Sequence, residues 1–338
     1  MEKVSMAFIA GIIDGDGSLS LIKKIEHDER APLYYPCIQF SKSNRCLPDL
    51  LKKLFGGYRI DIKRANKKIE CKWKLEKSAN CLPFLEVIEP YIQIKSEQTK
   101  LLLKFIKENP FKRGISLTKE QVLYRDNIYS EIINLNTSKD MLSAIRQNYR
   151  MPKNKSSFFD EYVSGLFDTD GSFSIKKEIT KSGFRYSPFI SLSLISAKVF
   201  KFIRRNSRLG RISIYKSNTT LQGFCYRFSV TKRNQAIKFL KLIIPYLHNK
   251  KEQAKELLKF CELFESQNGR YKKTEEQFIM REMCYENIKH LNEYGVVKFP
   301  LIDLKPLPGN AEGNKAEPLF GTVNVASEET PMVGDAVL

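Results

Sequence analysis

Two short stretches of this 338-residue chain end in the same acidic signature. Residues 8–18 read F-I-A-G-I-I-D-G-D-G-S and residues 162–172 read Y-V-S-G-L-F-D-T-D-G-S. Each is an apolar run around a glycine, Gly11 or Gly165, and each closes on D-x-D-G-S. The last aspartates, Asp16 and Asp170, stand 170 − 16 = 154 residues apart. One such carboxylate in each half points to two equivalent acidic sites facing each other across a pseudo-twofold axis. A reaction performed twice in mirrored fashion suits an antiparallel two-stranded substrate, and duplex DNA is the obvious one.

The copy extends beyond the motif, and internal repeats set the architecture before any single element does. P-Y-I-Q-I-K-S-E-Q-T-K-L-L-L-K-F at 90–105 matches P-Y-L-H-N-K-K-E-Q-A-K-E-L-L-K-F at 245–260, an offset of 245 − 90 = 155. Thr118 and Tyr129 match Thr274 and Tyr285, both offset by 156. A near-constant offset over separate segments implies a duplicated globular unit, and the period is too long for a solenoid. The length also suits two domains, each able to bury its own core.

The formal charge of +19 calls for a polyanionic partner. No run approaches the ~18 apolar residues of a membrane span, and no signal or transit segment is expected ahead of the first motif. Seven cysteines without a C-x-x-C pair suggest a reduced compartment. The three histidines are too few for paired Cys/His zinc sites. From Phe299 onward two basic residues face six acidic ones, so the first 298 residues carry 55 − 32 = +23. That acidic, Pro/Gly/Ala-rich end is expected to be disordered.

Elements able to position the aspartates follow from periodicity. Val4, Ala7, Phe8, Gly11 and Ile12 share a helical stripe, expected to end near Asp14 because Gly15 and Gly17 disfavour continuation. Alternating strands follow, then a helix over 47–55 stopped by Gly56-Gly57. Strands at 58–63 and 69–75 come next, then helices near 80–88, 95–108 and 118–135. The second half repeats this order, with a helix at 158–168 and strands near 172–178, 186–195, 211–216 and 223–231. The expected class is α+β: two tandem αββαββα domains, each with a four-stranded antiparallel sheet, forming a DNA-binding saddle. The expected boundaries are 1–135, a basic linker at 136–157, a second domain at 158–298 and the tail at 299–338.

With these motifs in place, the chain resembles the LAGLIDADG homing endonucleases in their two-motif monomeric form. The matching nonamers are I-A-G-I-I-D-G-D-G at 9–17 and V-S-G-L-F-D-T-D-G at 163–171. The likeness spans about residues 4–295. It implies that Gly11 and Gly165 let two helices pack backbone to backbone, bringing Asp16 and Asp170 together as metal ligands. The carbonyls of Gly15 and Thr169 would complete the set. Such oxygens suit Mg²⁺ (or Mn²⁺), which keeps waters and takes phosphate oxygens as further ligands. The metal would activate a water and stabilise the leaving 3′ oxygen.

The resemblance also implies a basic pocket residue after P-x-x-x-x, here Lys95 and Lys250, as catalytic groups. It places a further polar pocket position at Lys42 in one half and Ser196 in the other. The earlier aspartates, Asp14 and Asp168, are expected to be structural, at the turn after each helix. DNA-binding residues are expected on the outward strand faces. In the first half these are Ser20, Lys24, Tyr35, Gln39, Asp61, Lys63, Lys72 and Lys74. In the second they are Ser174, Lys176, Ser191, Ser193, Ser213, Tyr215, Arg227 and Ser229. A β-ribbon fits the major groove, where Lys and Arg read guanine and Gln reads adenine.

The expected function is therefore a magnesium-dependent, site-specific endodeoxyribonuclease of intron homing. It would act on a long asymmetric site as a monomer with no protein partner, in an organelle of synthesis or a prokaryotic cytoplasm. The alternatives are an intron RNA maturase, or a DNA-binding protein that kept the scaffold without the chemistry. Other D-x-D-G chemistries fit poorly. An EF-hand loop needs Glu at position twelve, where Ile25 stands. Haloacid dehalogenase-type phosphatases carry the motif at a strand end, whereas both copies here sit in helical patterns.

Overall fold

The computed structural model describes residues 4–25, 31–63, 69–109, 117–137, 157–180, 183–216, 224–263 and 274–294. Most of the expected linker and the whole expected tail lie outside the described residues. The first half runs α1 (Met6–Asp16), β1 (Gly17–Lys24), β2 (Leu33–Lys42), α2 (Cys46–Phe55), β3 (Tyr58–Lys63), β4 (Ile69–Glu76), α3 (Ser78–Ile88), α4 (Ser96–Glu108) and α5 (Lys119–Thr137). The second runs α6 (Phe159–Asp170), β5 (Gly171–Thr180), β6 (Gly183–Leu194), α7 (Ala197–Ser207), β7 (Arg211–Lys216), β8 (Phe224–Val230) and α8 (Arg233–Ile243). A short 3₁₀ turn (Ile244–Tyr246), α9 (Lys251–Leu263) and α10 (Glu275–Tyr294) follow. No helix among the described residues is long and apolar enough to cross a membrane.

The αββαββα order holds in both halves. The sheets are antiparallel, ordered β1-β2-β4-β3 and β5-β6-β8-β7. The registers are equivalent: Gly17 pairs with Phe40 and Phe40 with Trp73, while Gly171 pairs with Leu192 and Leu192 with Phe228. One face of each sheet is apolar and covered by helices, as antiparallel sheets allow. Phe40, Trp73 and Phe84 fill the first core; Phe173, Phe228 and Phe239 fill the second. The indole N–H of buried Trp73 donates to the carbonyl of Gly56 at 2.8 Å, so its one polar atom carries no desolvation penalty.

The last helix of each half is tied to its first hairpin by the same trio. Lys23 pairs with Asp126 at 2.5 Å and Tyr34 donates to it at 2.6 Å. Lys177 pairs with Glu282 at 2.6 Å, and Tyr186 donates to the same carboxylate. Asn136 and Asn292 each donate across to a first-strand carbonyl, of Leu19 and Phe173. The helices thus hold the strands that begin directly after the two acidic motifs.

Candidate active site between the paired helices

Helices α1 and α6 are packed on all sides. Every residue from Ala7 to Asp14 is buried, as is every residue from Tyr162 to Thr169. A helix without a polar face belongs in a core, and each of these has the other as a neighbour. They cross at Gly11 and Gly165. A Cβ at Gly11 would lie 2.1 Å from the carbonyl oxygen of Tyr162, and one at Gly165 would lie 2.2 Å from that of Phe8. Glycine at both positions is a steric requirement of this crossing.

The helices end at Asp16 and Asp170, two residues beyond the expected Asp14 and Asp168. Packing overrides propensity here. The helical backbone at Gly15 lies so close to Thr169 that a Cβ there would sit 2.1 Å from the threonine hydroxyl. Both chains then turn to extended backbone at Gly17 and Gly171.

Asp14 and Asp168 are therefore helical and buried, not turn residues. Each carboxylate instead reaches a distant loop. Asp14 accepts from the backbone N–H groups of Gln93, Ile94 and Lys95 at 2.7–2.9 Å and from the Tyr162 hydroxyl at 2.8 Å. Asp168 accepts from those of His248, Asn249 and Lys250 at 2.7–3.1 Å. These carboxylates satisfy N–H groups that precede α4 and α9, where helix starts leave donors without intrahelical partners. They also fix the backbones of Lys95 and Lys250 beside the helix ends.

Both lysine side chains turn inward. The Lys95 ammonium donates to the carbonyls of Ile13 and Asp14 at 2.7 Å and of Gly15 at 3.3 Å. The Lys250 ammonium donates to those of Thr169 at 2.7 Å and Gly171 at 2.6 Å. Burial pulls the pKa of Lys95 down. Burial, with the nearby Lys42 cation, brings Lys250 down to about 8. Asp170 is pushed up to about 6, first by burial and then by the Asp16 carboxylate beside it. The acidic residues, their carbonyls and the two lysines thus form one cluster.

Lys42 joins that cluster. Its ammonium pairs with the Asp16 carboxylate and donates to the Thr169 carbonyl at 2.8 Å, bridging the halves. The expected partner Ser196 is displaced. Lys42 lies opposite Cys71 and Leu194 lies opposite Tyr226, two residues past the equivalent Phe40 and Leu192. The counterpart of Lys42 is therefore Leu194, and Ser196 is the residue preceding α7. The second half therefore carries no lysine at the position equivalent to Lys42.

The donor set fits a hard divalent cation. Two carboxylates and the carbonyls of Gly15 and Thr169 are all oxygen, and like-charged acids at close range are relieved by a cation. Three ammonium groups already seek those oxygens. Among the described residues no group of three or more His, Cys, Asp or Glu could hold a metal alone, so remaining ligands would come from backbone, water and substrate.

The polar sheet faces carry most of the expected DNA contacts. Ser20, Lys24, Tyr35, Gln39, Lys72 and Lys74 share one face in the first half. Ser174, Lys176, Ser193, Ser213, Tyr215 and Arg227 share the equivalent face in the second. Arg227 lies 4.2 Å over the Tyr215 ring and donates to Ser193. Lys176 lies 3.8 Å over Phe189, a reader-face residue that the sequence pattern did not single out.

Two expectations fail on register and two on burial. Asp61 and Lys63 pair with Cys71 and Ile69, on the opposite, helix-covered face. There Asp61 pairs with Arg45 at 2.8 Å and Arg59 at 3.3 Å. Tyr58, Ile60 and Ile62 take the reader face instead. Ser191 and Ser229 are on the correct face, opposite each other, but only 8% and 3% exposed, too buried to contact a duplex.

Comparison with known proteins agrees with this architecture. Residues 163–264 match the profile of the LAGLIDADG endonuclease family. No curated protein sequence matches the chain. Among solved structures, I-SmaMI bound to an uncleaved DNA target with calcium ions is 19% identical at a TM-score of 0.61. It covers 85% of this chain and 99% of its own. I-GzeII in complex with its DNA target is 17% identical at 0.60, and I-AabMI bound to uncleaved DNA is 16% identical at 0.59. Each covers 84% of this chain and 98% of its own.

Proposed function

We propose that the chain, whose residues 163–264 match the LAGLIDADG endonuclease family, is a two-domain protein of that kind and cuts both strands of a long, asymmetric duplex DNA site. The observation that carries this reading is the meeting of Asp16 and Asp170 at the ends of two helices locked together through Gly11 and Gly165. A pseudo-twofold pair of acids matches the local twofold symmetry of antiparallel strands.

In this reading Asp16, Asp170 and the carbonyls of Gly15 and Thr169 hold magnesium. A metal held there would supply Lewis-acid activation of a water and stabilisation of the leaving oxygen. Lys95 and Lys250 lie beside each scissile phosphate, where an ammonium group acts on charge developing in the transition state. Asp14 and Asp168 orient them through the three backbone donors each carboxylate receives. Lys42 adds a third cation to one side only. The two sheets hold the duplex, with Lys72, Lys74, Lys176 and Arg227 on their polar faces. Because the halves present different side chains, the recognised site is asymmetric, and one chain suffices for it.

The test is to incubate the full chain with a randomised duplex library in Mg²⁺ and sequence the product ends. Recurrent double-strand breaks at one sequence, lost in EDTA, are the expected result. Breaks that persist in EDTA, or their absence in Mg²⁺ and Mn²⁺ despite specific duplex binding, contradict the reading.

A further inference from the structure

The second half carries a cationic pocket on the side of its sheet away from the reader residues. Lys201, Arg204, Arg205 and Arg208 line an open cavity of about 590 Å³ together with Ile212. Ile212 pairs with Phe228, on the helix-covered face, whereas Ser213 and Arg227 point to the other side. Lys201, Arg204 and Arg205 recur along one stripe of α7, and Arg208 follows in a left-handed conformation (φ 56°). All four are exposed.

Four cations around one cavity work against one another. Like charges three and four apart on a helix cost roughly 0.2–0.5 kcal/mol per pair. The helix dipole favours a cation or two in the last turn, not four around one cavity. The first half resolves the same region differently. There Asp49 and Asp61, on α2 and β3, pair with Arg59 and Arg45. Residues 197–216 contain seven basic residues and no acidic one. The stretch from α7 through β7 thus differs from its first-half counterpart in carrying basic residues with no acid among them.

The chemistry is that of a nucleotide site. Guanidinium forks match phosphate oxygens. The aliphatic stems of lysine and arginine, with Ile212, supply an apolar floor on which a base can lie. The volume is in the range of small-ligand pockets, ~300–1,000 Å³, and exceeds what a lone phosphate fills. We propose that this pocket binds a nucleotide of an unpaired nucleic-acid strand, its phosphates on Arg204 and Arg208 and its base against Ile212. Its place behind the sheet leaves the reader face free, so a duplex and a single strand bind together. This site does not depend on the cleavage reading.

The test uses the full chain and short labelled oligonucleotides of mixed sequence, one single-stranded RNA and one single-stranded DNA, titrated by fluorescence anisotropy. Removing two phosphate contacts in Arg204→Gln/Arg208→Asn lowers the salt slope by about 1.4, and so weakens binding roughly 25-fold at about 0.1 M salt. Asparagine tolerates the left-handed position. If that variant melts early, Lys201→Gln/Arg204→Gln gives the same readout from exposed helix positions. Ultraviolet crosslinks are expected in the peptide spanning 201–212. Loss with both oligonucleotides identifies the shared phosphate-and-base chemistry; loss with one alone assigns the pocket to RNA or to DNA. Unchanged affinity and salt slope in a folded variant, or crosslinks confined to the reader strands, overturn the proposal.

Discussion

Replacing Gly11 with alanine strikes the contact on which the whole site depends. The new Cβ would stand 2.1 Å from the Tyr162 carbonyl oxygen, 3.0 Å from the Leu166 nitrogen and 3.1 Å from the Gly165 Cα. All three obstacles are backbone, so no side chain can swing away. Restoring a contact of about 3.5 Å requires the helices to part locally by about 1.4 Å. Overpacking of this kind costs about 1–3 kcal/mol. Because Asp16 and Asp170 lie at the ends of these helices, a displacement near 1 Å is expected to slow cleavage by ~10²-fold.

The double variant sharpens the expectation. Gly165→Ala meets the Phe8 carbonyl at 2.2 Å, on the other side of the same crossing. Once the first methyl has parted the helices by about 1.4 Å, the second enters a gap near ordinary contact. Gly11→Ala/Gly165→Ala should therefore lose clearly less than the sum of the single losses, by about 0.5–3 kcal/mol. Gly56→Ala is the control: its Cβ meets nothing within 4 Å, and its φ of 73° confines the strain to that turn. Urea unfolding gives the stabilities and single-turnover cleavage gives the rates. Additive losses, or a Gly11→Ala variant that cuts at the wild-type rate, would refute the reasoning. So would Gly56→Ala slowing cleavage as much as Gly11→Ala does.

Lys95→Met should slow cutting of one strand and Lys250→Met the other, each by up to ~10²–10³-fold; end-labelling each strand separately reads this, and equal slowing of both strands by both variants refutes it. Because the register counterpart of Lys42 is Leu194, the wild-type protein should cut its strands at unequal rates, and Lys42→Leu should change that ratio; an unchanged ratio removes Lys42 from the chemistry. Calcium should support specific binding without cuts, since the larger ion is less demanding in geometry; gel-shift and cleavage assays in parallel decide it, and full-rate cleavage in calcium counts against the oxygen site.

Much of the fold was legible because it was written twice. The nonamers, the P-Y segments and the alternating strands locate both αββαββα units to within a few residues. What failed did so for local physical reasons. R-I-D-I-K at 59–63 alternates cleanly, and assigning its isoleucines inward is the natural choice. But β3 is an edge strand, Ile60 is 40% exposed, and the charged side is neutralised against α2. A one-residue error in facing moves every side chain across the sheet. Glycine propensity alone ends the helices two residues early, because it contains nothing of the partner helix whose Thr169 requires Gly15. Ser191 and Ser229 carry correct facing but short side chains that their neighbours cover. The asymmetry of Lys42 and Leu194 was hidden because only strand register, not spacing along the chain, equates these two positions.

The most direct test of the central claim is strand-resolved, single-turnover cleavage of the selected DNA site by Asp16→Asn and Asp170→Asn, with duplex affinity measured alongside. A shared acidic centre predicts that each substitution cripples both cuts while duplex binding persists. Cleavage of either strand at the wild-type rate by either bound variant would contradict it.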